Sequence, residues 1–210
     1  MSSPTATLGR RERKKLETHR ALSTAARELA LAQGLDGLTV EEIADAADVS
    51  VRTFFNYFSC KEEALVGVEP DVLAELGAEL EERPADESPL GALKAVLATG
   101  VDGVAESMRR WSLRTELVQR HPSLLPRHLA ALAEIEAALV RALAARLGTD
   151  PVTDPFPAIT VAAAMGALRA AVSSWEDAGR PGPLDHAVDA AFATLAAGLP
   201  APKPSRRGRR

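Results

Sequence analysis

The chain has 210 residues, 46% of them hydrophobic and 26% charged, with a formal net charge of −4. That is enough apolar material for a small head and a larger domain with a core. Cys60 stands alone, which excludes a disulfide framework or cysteine-rich metal site within one chain; no apolar run approaches membrane-spanning length, and the N-terminus lacks the apolar centre of a signal peptide, so a cytoplasmic protein without membrane contact is expected.

Alanine is abundant and β-branched runs are scarce, so the expected fold class is all-α, with about nine helices. Residues 1–9 read as a flexible arm. Arg10 to Gln33 read as a first helix, with Leu22, Ala26 and Leu29 on its apolar face and Gly34 ending it. Next comes the most informative stretch, Thr39 to Leu65. Thr39 followed by Glu42 has the spacing of a capping box, and Val40, Ile43, Ala44 and Ala47 share one face. A helix over about Val40–Ala47 follows. Asp48 sits where the chain must turn, Val49 plugs the gap, and Ser50 caps a second helix, Val51–Phe58. Lys61 opens a further helix with Glu62 and Glu63 in its first turn, running to about Glu82 before Arg83-Pro84.

The remaining boundaries come from proline and glycine. Ser88-Pro89 starts a helix carrying Leu90, Leu93, Val96, Leu97, Val101 and Val104. Trp111 to Arg120 is another, stopped by His121-Pro122. Leu124 or Pro126 to Leu147 is long and amphipathic, closed by Gly148. Thr149–Pro157 is a loop with three prolines. Phe156 or Ala158 to Ala178, and Leu184 to Leu199, are the last two helices, both rich in alanine. Residues 200–210 form a basic low-complexity tail. The division is therefore an arm (1–9), a head (10–66), a larger helical domain (67–199) and the tail.

Two short helices around a tight turn, the second with exposed polar and aromatic groups, describe a helix-turn-helix for a DNA major groove. The charge distribution agrees. Arg10, Arg11, Arg13, Lys14, Lys15 and Arg20 crowd the N-terminus, while residues 67–200 hold 19 acidic against 11 Lys and Arg, a net of −8. Such asymmetry focuses attraction for phosphates at one end. At the start of the second helix, Val51, Arg52 and Asn56 are the candidate base readers: Arg52 suits guanine, Asn56 adenine, and Val51 a thymine methyl. Thr39, Ser50, Thr53, Tyr57 and Lys61 are candidate phosphate contacts. Phe54 and Phe58 are assigned to the core.

These residues carry a resemblance. Ala25-Ala26, Leu29, Gly34, the run Leu38–Ala44, Ala47, Val49-Ser50, Thr53–Phe55, Tyr57-Phe58 and Lys61–Leu65 resemble the DNA-binding domain of the TetR family of bacterial regulators. The resemblance implies a repressor, released by a small ligand, that binds a palindromic operator in double-stranded DNA as a homodimer. The dimer would form through the last two helices, about 158–178 and 184–199. Two positions depart from the family pattern: Asp48 replaces a usual glycine, and Phe55 replaces a usual tyrosine. Phe55 therefore lacks a phosphate-contacting hydroxyl and is assigned to packing.

The larger domain is expected to hold a small effector. Candidate lining residues are Val104, Met108, Trp111, Leu113, Arg114, Leu117, Leu125, His128, Leu132, Met165, Leu168 and Trp175. Trp111, Arg114 and His128 would orient an amphiphilic ligand with an anionic end. The pattern FFNYF-x-CKEEAL with a later Trp111–Leu124 region is similar to a TetR subgroup that includes the mycofactocin regulator, which implies an acyl-coenzyme A effector.

No cofactor and no catalytic or metal site is expected. No two of His19, His121, His128 and His186 share an i, i+3 or i+4 spacing, and no nucleophile elbow or phosphate-cradling glycine loop occurs. The competing reading is an architectural DNA-coating protein using its basic ends, which would bind with steep salt dependence and little sequence preference.

Overall fold

The computed structural model describes residues 10–68, 70–99, 117–179 and 182–200. Among the described residues there is no strand. Nine α-helices follow in order: α1 (Arg10–Gln33), α2 (Val40–Ala46), α3 (Val51–Phe55), α4 (Lys61–Val66), α5 (Pro70–Glu82), α6 (Pro89–Thr99), α7 (Leu125–Leu147), α8 (Phe156–Asp177) and α9 (Leu184–Ala196). A helical stretch at 117–120 and a 3-10 turn, Pro122–Leu124, lead into α7.

Two apolar cores result. The head core joins Leu22 and Ala26 of α1, Ile43 and Ala44 of α2, Phe54, Phe58, and Ala64 to Val66 of α4. Leu117 and Leu124 belong to this core as well. The second core gathers Leu76 and Leu80 of α5, Leu93 and Val96 of α6, Leu139 and Leu143 of α7, Val161 and Val172 of α8, and Val188 and Phe192 of α9. Polar ties fix its edges. Arg83 holds Glu87 through two hydrogen bonds of 2.7 and 2.8 Å, and Arg146 of α7 donates to the carbonyls of Pro84 and Glu87. The α5–α6 turn, closed by one backbone bond from the Glu87 amide to the Pro84 carbonyl at 3.1 Å, is thereby also held by a cation from a third helix. Lys94 and Asp189 pair α6 with α9 at 2.5 Å.

Several sequence expectations need correction. The helix from Lys61 to Glu82 is two helices. The chain leaves α4 at Gly67 with extended geometry (ψ 163°), and Pro70 opens α5. A Cβ at Gly67 would stand 2.5 Å from the carbonyl oxygen of Glu63, so this exit is made for glycine. Helix α3 stops at Phe55 instead of Phe58, because Asn56 and Tyr57 bond back to Thr53 and Phe54 and tighten the last turn. Helix α9 stops at Ala196, with Gly198 and Leu199 both left-handed.

The membrane argument also changes. Helix α8 contains an 18-residue window of mean hydropathy 1.4, long and apolar enough to cross a membrane by length and composition. Only 28% of that window is buried inside the chain. Phe156 and Ile159 are exposed, the latter by 64%.

The arm (1–9), the tail (201–210), and Val101, Val104, Met108, Trp111, Leu113 and Arg114 lie outside the described residues.

Candidate nucleic-acid interface

The turn forms as its residues dictate. Thr39 Oγ1 accepts from the Glu42 amide at 3.2 Å, and the Glu42 carboxylate accepts from the Thr39 amide at 2.9 Å. Both halves of the capping box are present. These bonds, chiefly that from the Thr39 backbone, hold the Glu42 carboxyl below its ordinary pKa. Asp48 takes a left-handed conformation, φ 52°, where the resembling family has glycine. The Val49 amide then bonds to the Ala44 carbonyl at 2.9 Å, which closes the turn. Ser50 Oγ accepts from the Thr53 amide at 3.1 Å and lies 2.8 Å from the Thr53 hydroxyl. Thr39, Ser50 and Thr53 thus spend part of their capacity on capping. Each hydroxyl oxygen has further lone pairs, so capping and phosphate contact are compatible.

Exposure sorts the proposed readers. Arg52 and Asn56 are exposed, while Val51 is half-buried and packs on the head core. Tyr57 is half-buried too, its ring 6.2 Å from that of His19 in an edge-on arrangement. Phe54 and Phe58 are buried, as assigned. Phe55 is not packed away: it is 55% exposed, with its ring edge-on to Phe54 at 5.5 Å. Sequence reasoning missed this residue, although its place three beyond Arg52 was a usable signal.

Two cations are engaged more closely than the sequence implied. The Lys61 ammonium donates to the carbonyls of Leu35 and Leu38, at 2.9 and 2.7 Å, and so staples the α1–α2 connection. An ammonium has three donors, which leaves one for a phosphate. Arg20, counted with the basic N-terminus, instead pairs with the buried carboxylate of Asp71 on α5. Arg13, Lys14 and Lys15 are exposed.

The head also meets the larger domain at its α3–α4 link. Arg127 of α7 donates to Ser59 Oγ at 3.0 Å, and the Ser59 hydroxyl and amide both donate to Glu63 at 2.7 Å. Burial acts to raise the Glu63 pKa. The Ser59 hydrogen bonds and the charges of Arg127 and His19 outweigh it, and the carboxyl lies below its ordinary value. A void of about 50 Å³ lies beside this contact, between Phe58, Val68 and Ala131. That is room for a water, not an effector.

The proposed effector residues that are described fall in different places. Leu117 is 1% exposed and lies in the head core, not in the core of the larger domain. The helical stretch that carries it sits against the head. His128 and Leu132 are half-buried on α7, and Leu125 is exposed. Met165, Leu168 and Trp175 pack on the second core. The Trp175 indole donates to the Gly182 carbonyl at 3.0 Å and so ties the α8–α9 connection.

A capped helix-turn-helix with an exposed polar face, joined to a helical domain with its own core, defines a DNA-binding transcriptional regulator. The chain belongs to the TetR family: residues 22–66 match "Bacterial regulatory proteins, tetR family", and residues 87–200 match "MftR C-terminal domain". The family consists of transcriptional regulators, and TetR regulators bind DNA as dimers. The HTH-type transcriptional regulator TcmR of Streptomyces glaucescens is 39% identical over 173 residues, 80% of this chain and 76% of that protein. Among solved structures, Thermus thermophilus FadR, a TetR-family repressor in complex with lauroyl-CoA, is 24% identical with a TM-score of 0.54, covering 91% of this chain and all of that one (100%). The fatty acid degradation regulator FadR from Bacillus halodurans is 18% identical with a TM-score of 0.53, covering 87% of this chain and 96% of that one. These two likenesses concern the fold.

Proposed function

We propose that the chain is a cytoplasmic repressor that binds a palindromic operator as a homodimer and is released by an amphiphilic, acyl-coenzyme A-like effector. The observation that carries the reading is the exposed side of α3, where Arg52, and Asn56 at the C-cap, are exposed beyond the Ser50 cap. In this reading they contact base edges, while Thr39, Ser50, Thr53, Tyr57 and Lys61 touch phosphates. One short helix reads few base pairs. Two heads related by a dyad read half-sites about 34–36 Å, or a multiple, apart.

The incompletely covered α8 supports pairing through α8 and α9. An apolar helix that leaves Phe156 and Ile159 exposed in one chain is a candidate face for a two-fold contact. The effector class draws support from the match to the MftR C-terminal domain and from the lauroyl-CoA bound by the Thermus protein. Met108, Trp111, Arg114, His128, Met165 and Trp175 remain the proposed effector contacts; Leu117 joins the head instead.

Because α4 and α5 are separate helices, the signal does not run along one rigid rod. The segment from Leu117 to Ala131 is the better route, since it fills the head core at one end and continues into α7. An effector that favours the released arrangement about 100-fold shifts the balance by about 2.7 kcal/mol.

The test is a selection of bound sequences from random duplex DNA, followed by titration of the complex with acyl-coenzyme A species of different chain length. Enrichment of a palindrome, lost on adding one of these species, is the expected result. Sequence-indifferent binding with a steep salt dependence would favour an architectural role. Unchanged affinity across the acyl series would remove that effector class.

A further inference from the structure

We propose that Arg20 and Asp71 are positioning residues for operator reading: their ion pair fixes the angle at which each head leaves the effector domain, and so sets the half-site spacing that the dimer accepts. The inference rests on the reading of the chain as a dimer whose two heads enter DNA. The pair joins the two parts of the chain across 51 residues, from the middle of α1 in the head to the first turn of α5. Between α4 and α5 the covalent path is extended at Gly67, so no continuous helix carries the head's orientation. Asp71 stands just beyond that break, and its bond to α1 bridges it.

The two ends of the pair are unequal. The Asp71 side chain is 5% exposed and that of Arg20 50%. Asp71 Oδ2 takes the guanidinium, while Oδ1 is buried with no hydrogen-bond partner among the described residues. Separating the two would strand a charge away from water, which is strongly unfavourable. The first turn of α5 would have to lift into solvent, turning at Gly67. The pair therefore resists rotation of α1 against α5. A neighbouring contact places this turn of α1 at the junction independently: His19 lines the small void against Arg127 and Ala131 of α7. Within the head, Arg20 shares a surface groove with Ala47 and Asp48, so the anchored point lies on the groove of the turn that aims α3.

The experiment uses the full-length protein and the operator recovered by selection, with the spacer between half-sites lengthened or shortened by single base pairs. Each step moves one half-site by about 3.4 Å and turns it by about 35°. Wild type is expected to lose about tenfold in affinity per step, because both heads then cannot engage together. Asp71→Asn keeps the shape and removes the buried charge; it is expected to lose only about twofold per step, with wild-type affinity for DNA holding one half-site. Arg20→Met should show the same flattened profile, and Arg20→Lys should restore the steep one. The double variant Arg20→Met/Asp71→Asn should be no flatter than either single variant. Loss of packing alone would lower the melting temperature and leave the dependence on spacing intact.

A steep profile retained in Asp71→Asn and Arg20→Met overturns the assignment, as does a wild type that tolerates every spacing. Weaker binding to one half-site and a lower salt slope in Arg20→Met, with Asp71→Asn like wild type, would make Arg20 a phosphate contact and overturn it also. If Asp71→Asn does not fold, the contrast between Arg20→Met and Arg20→Lys decides, and matching profiles in the two overturn the pair. These results differ from failure of the underlying reading, in which wild type itself would enrich no palindrome.

Discussion

Arg127, near the start of α7, donates a hydrogen bond to the hydroxyl of Ser59, on the link between α3 and α4, across a sequence separation of 68 residues. The effector domain thus touches the strip of chain that leaves the reading helix. Arg127→Ala should cost under about 1 kcal/mol of stability, because the contact is exposed. It should nonetheless speed amide exchange of residues 57 to 61 while leaving the Leu22–Ala30 amides of α1 unchanged. Uniform exchange across the head would mean that the contact is incidental.

The neighbouring carboxylate has a pH signature. Glu63 has a folded pKa below the ordinary 4.5, so the unfolded chain takes up its proton first. Its contribution is fully present above that ordinary value and disappears as pH falls through the lower folded one. Glu42 and Glu87 shift in the same direction, so wild type and Glu63→Gln must be compared. Melting temperatures from about pH 6 to about pH 3 should show the two proteins converging in acid. A constant gap would assign the difference to packing.

Arg52→Ala is expected to weaken operator binding by about 1–3 kcal/mol and to relax preference at one base pair per half-site. Asn56→Ala should act at a different base pair. Binding titrations against single-substituted operators resolve the two. Identical profiles would remove α3 from base reading.

Lys61 separates folding from phosphate contact. Lys61→Ala leaves the Leu35 and Leu38 carbonyls without their ammonium and should destabilise the head by about 1–3 kcal/mol. If the third N–H reaches a phosphate, the slope of log affinity against log salt also falls by about one unit per head. A lower melting temperature with an unchanged slope would make Lys61 a staple alone.

Ile159 offers the direct check on pairing. An aspartate there puts a charge into the proposed contact between chains while disturbing little within one. Sedimentation equilibrium of Ile159→Asp should show single chains, and operator affinity should fall by an order of magnitude or more. A stable dimer would move the interface elsewhere.

The head was largely legible from sequence because its signals are local. The Thr39/Glu42 capping box, the cap at Ser50 and the left-handed Asp48 all act within four residues. What escaped depends on partners distant in sequence or on exposure. The end of α4 is the exception, since Gly67 and Pro70 were local signals that the sequence reading passed over. The fate of Arg20 is set by Asp71, and that of Leu117 by the head core. Phe55 was assigned to packing because aromatic type does not reveal which face of a five-residue helix points outward. The effector site was the least legible part, since apolar residues lining a cavity and apolar residues filling a core have the same chemistry.

The position of Leu117 and Leu124 has a consequence for biosynthesis. The head's own residues are finished by Val68, yet its core closes only when a segment some fifty residues later arrives. At about 5–20 residues per second, the ribosome leaves that gap open for several seconds. An N-terminal fragment ending at Val68 should accordingly melt below the head in the intact chain. Translation order thus withholds a fully closed DNA reader until the first part of its own control domain has been made.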